Sequence, residues 1–182
     1  MNNIYLIGMP GCGKSTIGKM VSQKLKLKNV DADEYLENKY CRTIPQIFDL
    51  YGEEDFRQKE SEVIRELSNM SGLIVSTGGG VVVKVKNKNV MKNSGTVVFI
   101  HTLPENILKN SNLSGRPLLK DKNRIFDLYE QRISLYRDFA DIIIDNNGDI
   151  ETTVNEILKH IKEWAKWEIT TRKKLRLCHM SR

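Results

Sequence analysis

Apolar positions along the chain alternate between two patterns. Ile4 to Ile7, Leu73 to Val75, Thr96 to Ile100 and Ile142 to Ile144 are short apolar runs that read as buried strands, with Asn29 to Asp31 a further short one. Between them the apolar residues recur at helical spacing. Ile17, Met20, Val21 and Leu25 mark a helix after the first run. Residues 34 to 69 read as mostly helical, broken near Pro45 and Gly52, with Phe56, Val63, Ile64 and Leu67 forming one buried face. More helices are expected near 85 to 93, 104 to 109 and 124 to 138, and a last one over roughly 149 to 167. Strands apolar on both faces, alternating with helices, predict a parallel sheet covered on both sides. The expectation is a three-layer, doubly wound α/β fold with a five-stranded parallel sheet. Such folds bind ligands beyond the carboxyl ends of their strands, where the turns after Ile7, Val30 and Val75 fall.

The 182 residues, 40% hydrophobic and 29% charged, suit one globular domain. No run approaches the roughly 18 apolar residues of a membrane span, and Met1 to Ile7 lacks the form of a secretory signal. Cys12, Cys41 and Cys178 are odd in number and widely spaced, so they match neither a disulfide framework nor a metal site. Reduced thiols in a cytoplasmic protein are expected. The net charge of +6 is concentrated in residues 168 to 182, where Arg172, Lys173, Lys174, Arg176 and Arg182 stand against Glu168. That segment reads as a disordered basic tail beyond a domain spanning 1 to 167, rather than as a nucleic-acid surface. No internal repeat or large exposed apolar pattern is evident, and a monomer is expected.

Gly8-Met9-Pro10-Gly11-Cys12-Gly13-Lys14-Ser15-Thr16 fulfils the pattern G-x-x-x-x-G-K-[ST], with a strand before it and a helix after it. Glycines let backbone N–H groups converge on phosphate oxygens, and the following helix turns its positive end to the same anion. Gly11, Cys12, Gly13, Lys14, Ser15 and Thr16 are therefore candidate ATP-binding residues. Lys14 would sit on the β- and γ-phosphates, and Ser15 would ligate Mg²⁺. Cys12 reads as a small residue filling the turn, although its place near a helix start leaves an oxidisable thiol open. The motif fixes the nucleotide and leaves the acceptor undecided.

Later segments bear on the acceptor. Asp31 and Asp33 would point the same way if the second strand continues through them. One would then serve Mg²⁺ and the other the acceptor hydroxyl; solvated acids or a helix cap are the plain alternatives. Arg57 sits at the margin of an amphipathic helix, placed either to grip a carboxylate or simply to face solvent. Gly78, Gly79 and Gly80 allow close backbone approach to a ligand, or make a flexible turn. Residues 109 to 123, with Arg116, read as a polar lid able to close over ATP. Arg132 and Tyr136 share a helical face.

Taken in order and spacing, the phosphate loop, Asp31-Ala32-Asp33, Phe56-Arg57 with Glu60, Thr77 to Gly80, Arg116-Pro117-Leu118-Leu119 and Arg132 through Tyr136-Arg137 resemble the shikimate kinases over about Met1 to Ile161. The resemblance implies a fold like that of the nucleoside monophosphate kinases, with a mobile lid, and transfer of the γ-phosphoryl of ATP to shikimate. It also implies roles. Ser15 and Asp31 would hold Mg²⁺, and Asp33 would act as general base or orienting acceptor. Arg57 and Arg132 would clamp the shikimate carboxylate, the Gly79 N–H would bond the substrate, and Arg116 would close on the ATP phosphates. The chain departs from the family where an arginine is common in the lid and Lys109 stands instead, and where Asp145 to Asp149 lacks an adenine-side arginine. Two rivals stand beside this expectation: a kinase of the same fold for gluconate or a nucleoside monophosphate, and a non-catalytic nucleotide switch or nucleic-acid module.

Overall fold

A computed structural model describes residues 2–110 and 122–163. Five strands form one sheet: β1 (Asn3–Ile7), β2 (Lys28–Asp31), β3 (Leu73–Ser76), β4 (Gly95–His101) and β5 (Ile142–Asp145). Their order is β2-β3-β1-β4-β5 and every neighbouring pair is parallel. β1 lies in the middle and all five of its residues are buried. Tyr5, Leu6 and Ile7 share the core with Ile74, Val75 and Val97 to Ile100, as continuous apolar strands require when helices cover both faces.

The helices are α1 (Lys14–Leu25), α2 (Ala32–Tyr40), α3 (Ile44–Ser68), α4 (Val85–Ser94), α5 (Pro104–Asn110), α6 (Lys122–Phe139) and α7, described over 150–163. The Thr43 side chain accepts from the Gln46 N–H while Gln46 bonds back to the Thr43 N–H, a capping box that starts α3. Pro45 therefore belongs to the opening turn, where its missing donor costs nothing. The break expected near Gly52 is a kink, with φ 78° and ψ 177°. The second strand does not continue to Asp33: β2 ends at Asp31, which caps α2 by accepting from the N–H groups of Asp33 and Glu34. The two aspartates are thus a helix cap and a first-turn residue, not alternate positions of a strand, because the short Asx side chain competes successfully for the free N–H groups at a helix start.

The connection after β1 leads to one edge of the sheet, and the connection after β3 passes β1 to reach β4. Direction thus reverses between β1 and β3, opening a crevice at their carboxyl ends. There the Thr77 N–H and hydroxyl both donate to the Leu6 carbonyl, at 3.1 and 3.0 Å. The expected lid between its ends at 109 and 123, with Arg116, lies outside the described residues, as do the tail and the 164–167 portion of the last helix.

Candidate active site

The phosphate loop occupies the β1 side of the crevice. Lys14 is buried at the start of α1, and its ammonium donates to the Gly8 and Met9 carbonyls at 2.9 Å each. A flexible lysine is so held as a localised charge over the loop. Cys12 is buried, with its Sγ 3.7 Å from Lys14 Nζ. The Ser15 hydroxyl donates to Asp31 Oδ2 at 2.6 Å, while Asp31 Oδ1 caps α2. Capping and contact with Ser15 are therefore compatible, since a carboxylate has two oxygens to give.

Across the crevice the run Gly78-Gly79-Gly80 is closed upon by the protein's own side chains. A Cβ on Gly78 would lie 2.6 Å from Asp33 Oδ1 and 2.9 Å from Glu60 Oε1. One on Gly79 would lie 2.6 Å from Pro10 Cδ, and one on Gly80 2.1 Å from Arg57 Nη1. At each position an acid, a loop proline or a guanidinium is packed where a Cβ would stand, which by itself requires glycine. Arg132 and Tyr136, one turn apart on α6, both donate to the Gly79 carbonyl, at 3.1 and 2.5 Å. Burial pushes the Tyr136 hydroxyl pKa upward, so it remains a donor.

Arg57, Asp33, Glu60 and Arg132 therefore meet around three consecutive backbone units. Arg57 is buried rather than marginal. Its Nη1 donates to Glu60 Oε2 at 2.9 Å, its Nη2 to Glu53 Oε1 at 3.2 Å, and its guanidinium lies 5.0 Å from the Phe56 ring centre. Burial drives the Glu60 carboxyl up to about 7 despite the opposing charge of Arg57; Asp33 adds to the rise and Arg132 opposes it. Among the described residues, Arg57 Nε and Glu60 Oε1 are buried without a hydrogen-bond partner. One is a cationic donor and the other a carboxylate acceptor, the complement of a molecule carrying both a carboxylate and hydroxyls.

The resemblance includes Glu60 beside Arg57 and implies no role for it. Its signal was the three-residue spacing from Arg57, which puts both on one helical face. Pro10 and Thr77 fall inside motifs of the sequence, but their packing partners carry no local signal, since those contacts join segments that only the sheet brings together. Arg116 lies outside the described residues.

The family model for shikimate kinase matches residues 10–162. The shikimate kinase of Clostridium botulinum (strain Alaska E43 / Type E3) is 44% identical over 161 residues, covering 88% of this chain and 97% of the relative. That of Clostridium beijerinckii (strain ATCC 51743 / NCIMB 8052) is 46% identical over 157 residues, covering 86% and 92%. The chain belongs to the shikimate kinase family. Among solved structures, shikimate kinase from Acinetobacter baumannii, in complex with shikimate, superposes with a TM-score of 0.84 at 34% identity, covering 90% of this chain and 94% of that one. A gluconokinase from Sinorhizobium meliloti shares the fold, with a TM-score of 0.64, at 13% identity. As a shikimate kinase, the chain is an ATP-dependent phosphotransferase acting on an alcohol group, of the P-loop architecture expected.

Proposed function

We propose that this chain transfers the γ-phosphoryl of ATP to the 3-hydroxyl of shikimate, giving 3-phosphoshikimate and ADP, with the residues of the crevice in the following roles. Gly11 to Thr16 cradle the triphosphate, and Lys14 neutralises charge as the phosphoryl moves from donor to acceptor. Arg57 and Arg132 receive the carboxylate of shikimate. Asp33 takes the proton of the attacking hydroxyl as its oxygen bonds to phosphorus and the bridging P–O bond to ADP breaks. The Gly79 N–H bonds the seated substrate, and Arg116 closes onto the phosphates. The observation carrying this reading is the meeting of Arg57, Arg132, Asp33 and Glu60 on the Gly78 to Gly80 run, opposite the phosphate loop. The same crevice favours shikimate over a nucleoside monophosphate, because paired guanidiniums beside an acid suit a hydroxylated carboxylate.

Mg²⁺ fits the residues present. It takes one or two protein oxygens and completes its shell with water and phosphate, and Ser15 Oγ and Asp31 Oδ2 are two such oxygens in contact. Bound there, the ion would screen charge on the β- and γ-phosphates. We place this chemistry in a monomeric, cytoplasmic enzyme made of a kinase domain over 1 to 167 and a basic tail.

The test is ADP release measured with ATP and each of shikimate, gluconate and AMP. Turnover that requires shikimate is expected; turnover on gluconate and not on shikimate would end the proposal. Asp33→Asn should lower kcat far more than it changes the KM for ATP, and a pure nucleotide-affinity effect would remove Asp33 from the proton-accepting role.

A further inference from the structure

We infer that Asn146 is a positioning residue for the phosphate loop, aiming the Gly13 N–H from outside the motif. Asn146 is half-buried just after β5. Its Nδ2 donates to the Cys12 carbonyl at 2.9 Å and to Thr102 Oγ1 at 3.1 Å. Its Oδ1 accepts from Thr153 Oγ1 at 2.8 Å, and its own N–H donates to the His101 carbonyl at 2.8 Å. Thr102 and Thr153 are buried, so the amide is gripped from the end of β4 and from α7. Its orientation is fixed, because a backbone carbonyl only accepts and must therefore face the NH₂ group.

The consequence follows from peptide geometry. The Cys12 carbonyl and the Gly13 N–H belong to one planar trans peptide and point in opposite directions. Holding the carbonyl towards Asn146 holds the N–H away from it. Gly13 is the N-cap of α1, with φ 92° and no side-chain cap, so its own conformation is weakly constrained by its chemistry. An N–H that must meet a phosphate oxygen contributes most when it is aimed before the ligand arrives. A residue 134 positions away supplies that constraint. It also couples the loop after β5 to the loop that holds the triphosphate.

This inference rests on the ATP-using role proposed above and deepens it. Asn146→Ala is expected to raise the KM for ATP about five- to tenfold, the worth of one hydrogen bond. The affinity for ADP, measured by competition against a fluorescent ATP analogue, should fall equally. The affinity for adenosine and the KM for shikimate should stay within about twofold, since neither uses the cradle. Thr153→Val keeps both amide donors but loosens their aim, and should weaken ADP over adenosine in the same direction by about twofold. An unchanged ADP affinity in Asn146→Ala, or an equal loss for adenosine in either variant, would overturn the inference. A wild-type chain that binds ADP yet shows no shikimate-dependent turnover would instead overturn the proposed reaction and leave this one standing.

Discussion

At the scale of single residues, the charged side chains of the crevice are held in place by close packing on the Gly78 to Gly80 backbone. Gly80 illustrates this. Its φ of −100° is open to any residue, so glycine is there only because the Arg57 guanidinium occupies the space of a Cβ. Gly80→Ala should therefore displace Arg57 and raise the KM for shikimate by about tenfold or more, with the KM for ATP little changed; steady-state kinetics with each substrate varied would check it. Arg57→Lys keeps the charge and loses the planar fork, and the KM for shikimate should rise in the same assay. Lys14→Ala removes the charge next to the transferred group and should lower kcat by about 100-fold or more, as read by ADP release.

At the scale of elements, the helix carrying Arg57 and Glu60 depends on a single irregular residue. Gly52 interrupts α3 with φ 78° and ψ 177°, and a Cβ there would meet nothing within 4 Å. The cost of Gly52→Ala is then backbone strain alone, about 1–3 kcal/mol, visible as a lower urea midpoint with an unchanged slope. The same kink sets the direction in which the second half of α3 carries Arg57 and Glu60 to the crevice. At its other limit α3 is started by the Thr43–Gln46 box, whose loss in Thr43→Ala should cost about 1 kcal/mol by the same measurement.

At the scale of the whole molecule, the crevice carries a buried carboxyl that makes the stability of the fold depend on pH. Glu60 is buried against Arg57, and its carboxyl titrates near 7 instead of the usual 4.5. Between those values the folded chain keeps a proton that the unfolded chain has released. The stability contributed by this group is thus full below about 4.5 and lost as pH rises to about 7. The effect is on the order of 3 kcal/mol. Glu60→Gln should abolish this part of the decline, so unfolding of the two proteins at pH 5 and pH 8 should show the wild type losing more stability; parallel behaviour would refute it. The ion pair with Arg57 shifts the absolute values and leaves this slope difference intact.

The sequence by itself determined the strand and helix order, the parallel sheet and the phosphate loop. These follow from local periodicity and from a motif whose glycines, lysine and serine are adjacent in the chain. Its family pattern also named Arg57, Asp33 and Arg132. Tertiary structure decided how they meet. That the capping Asp31 also touches Ser15, that three glycines are packed on by Asp33, Glu60, Pro10 and Arg57, and that Asn146 holds the Cys12 carbonyl are contacts between distant segments. No local rule encodes them, because they arise only when the reversal of strand order lays the β1 and β3 loops against each other and brings the ends of β4 and β5 alongside.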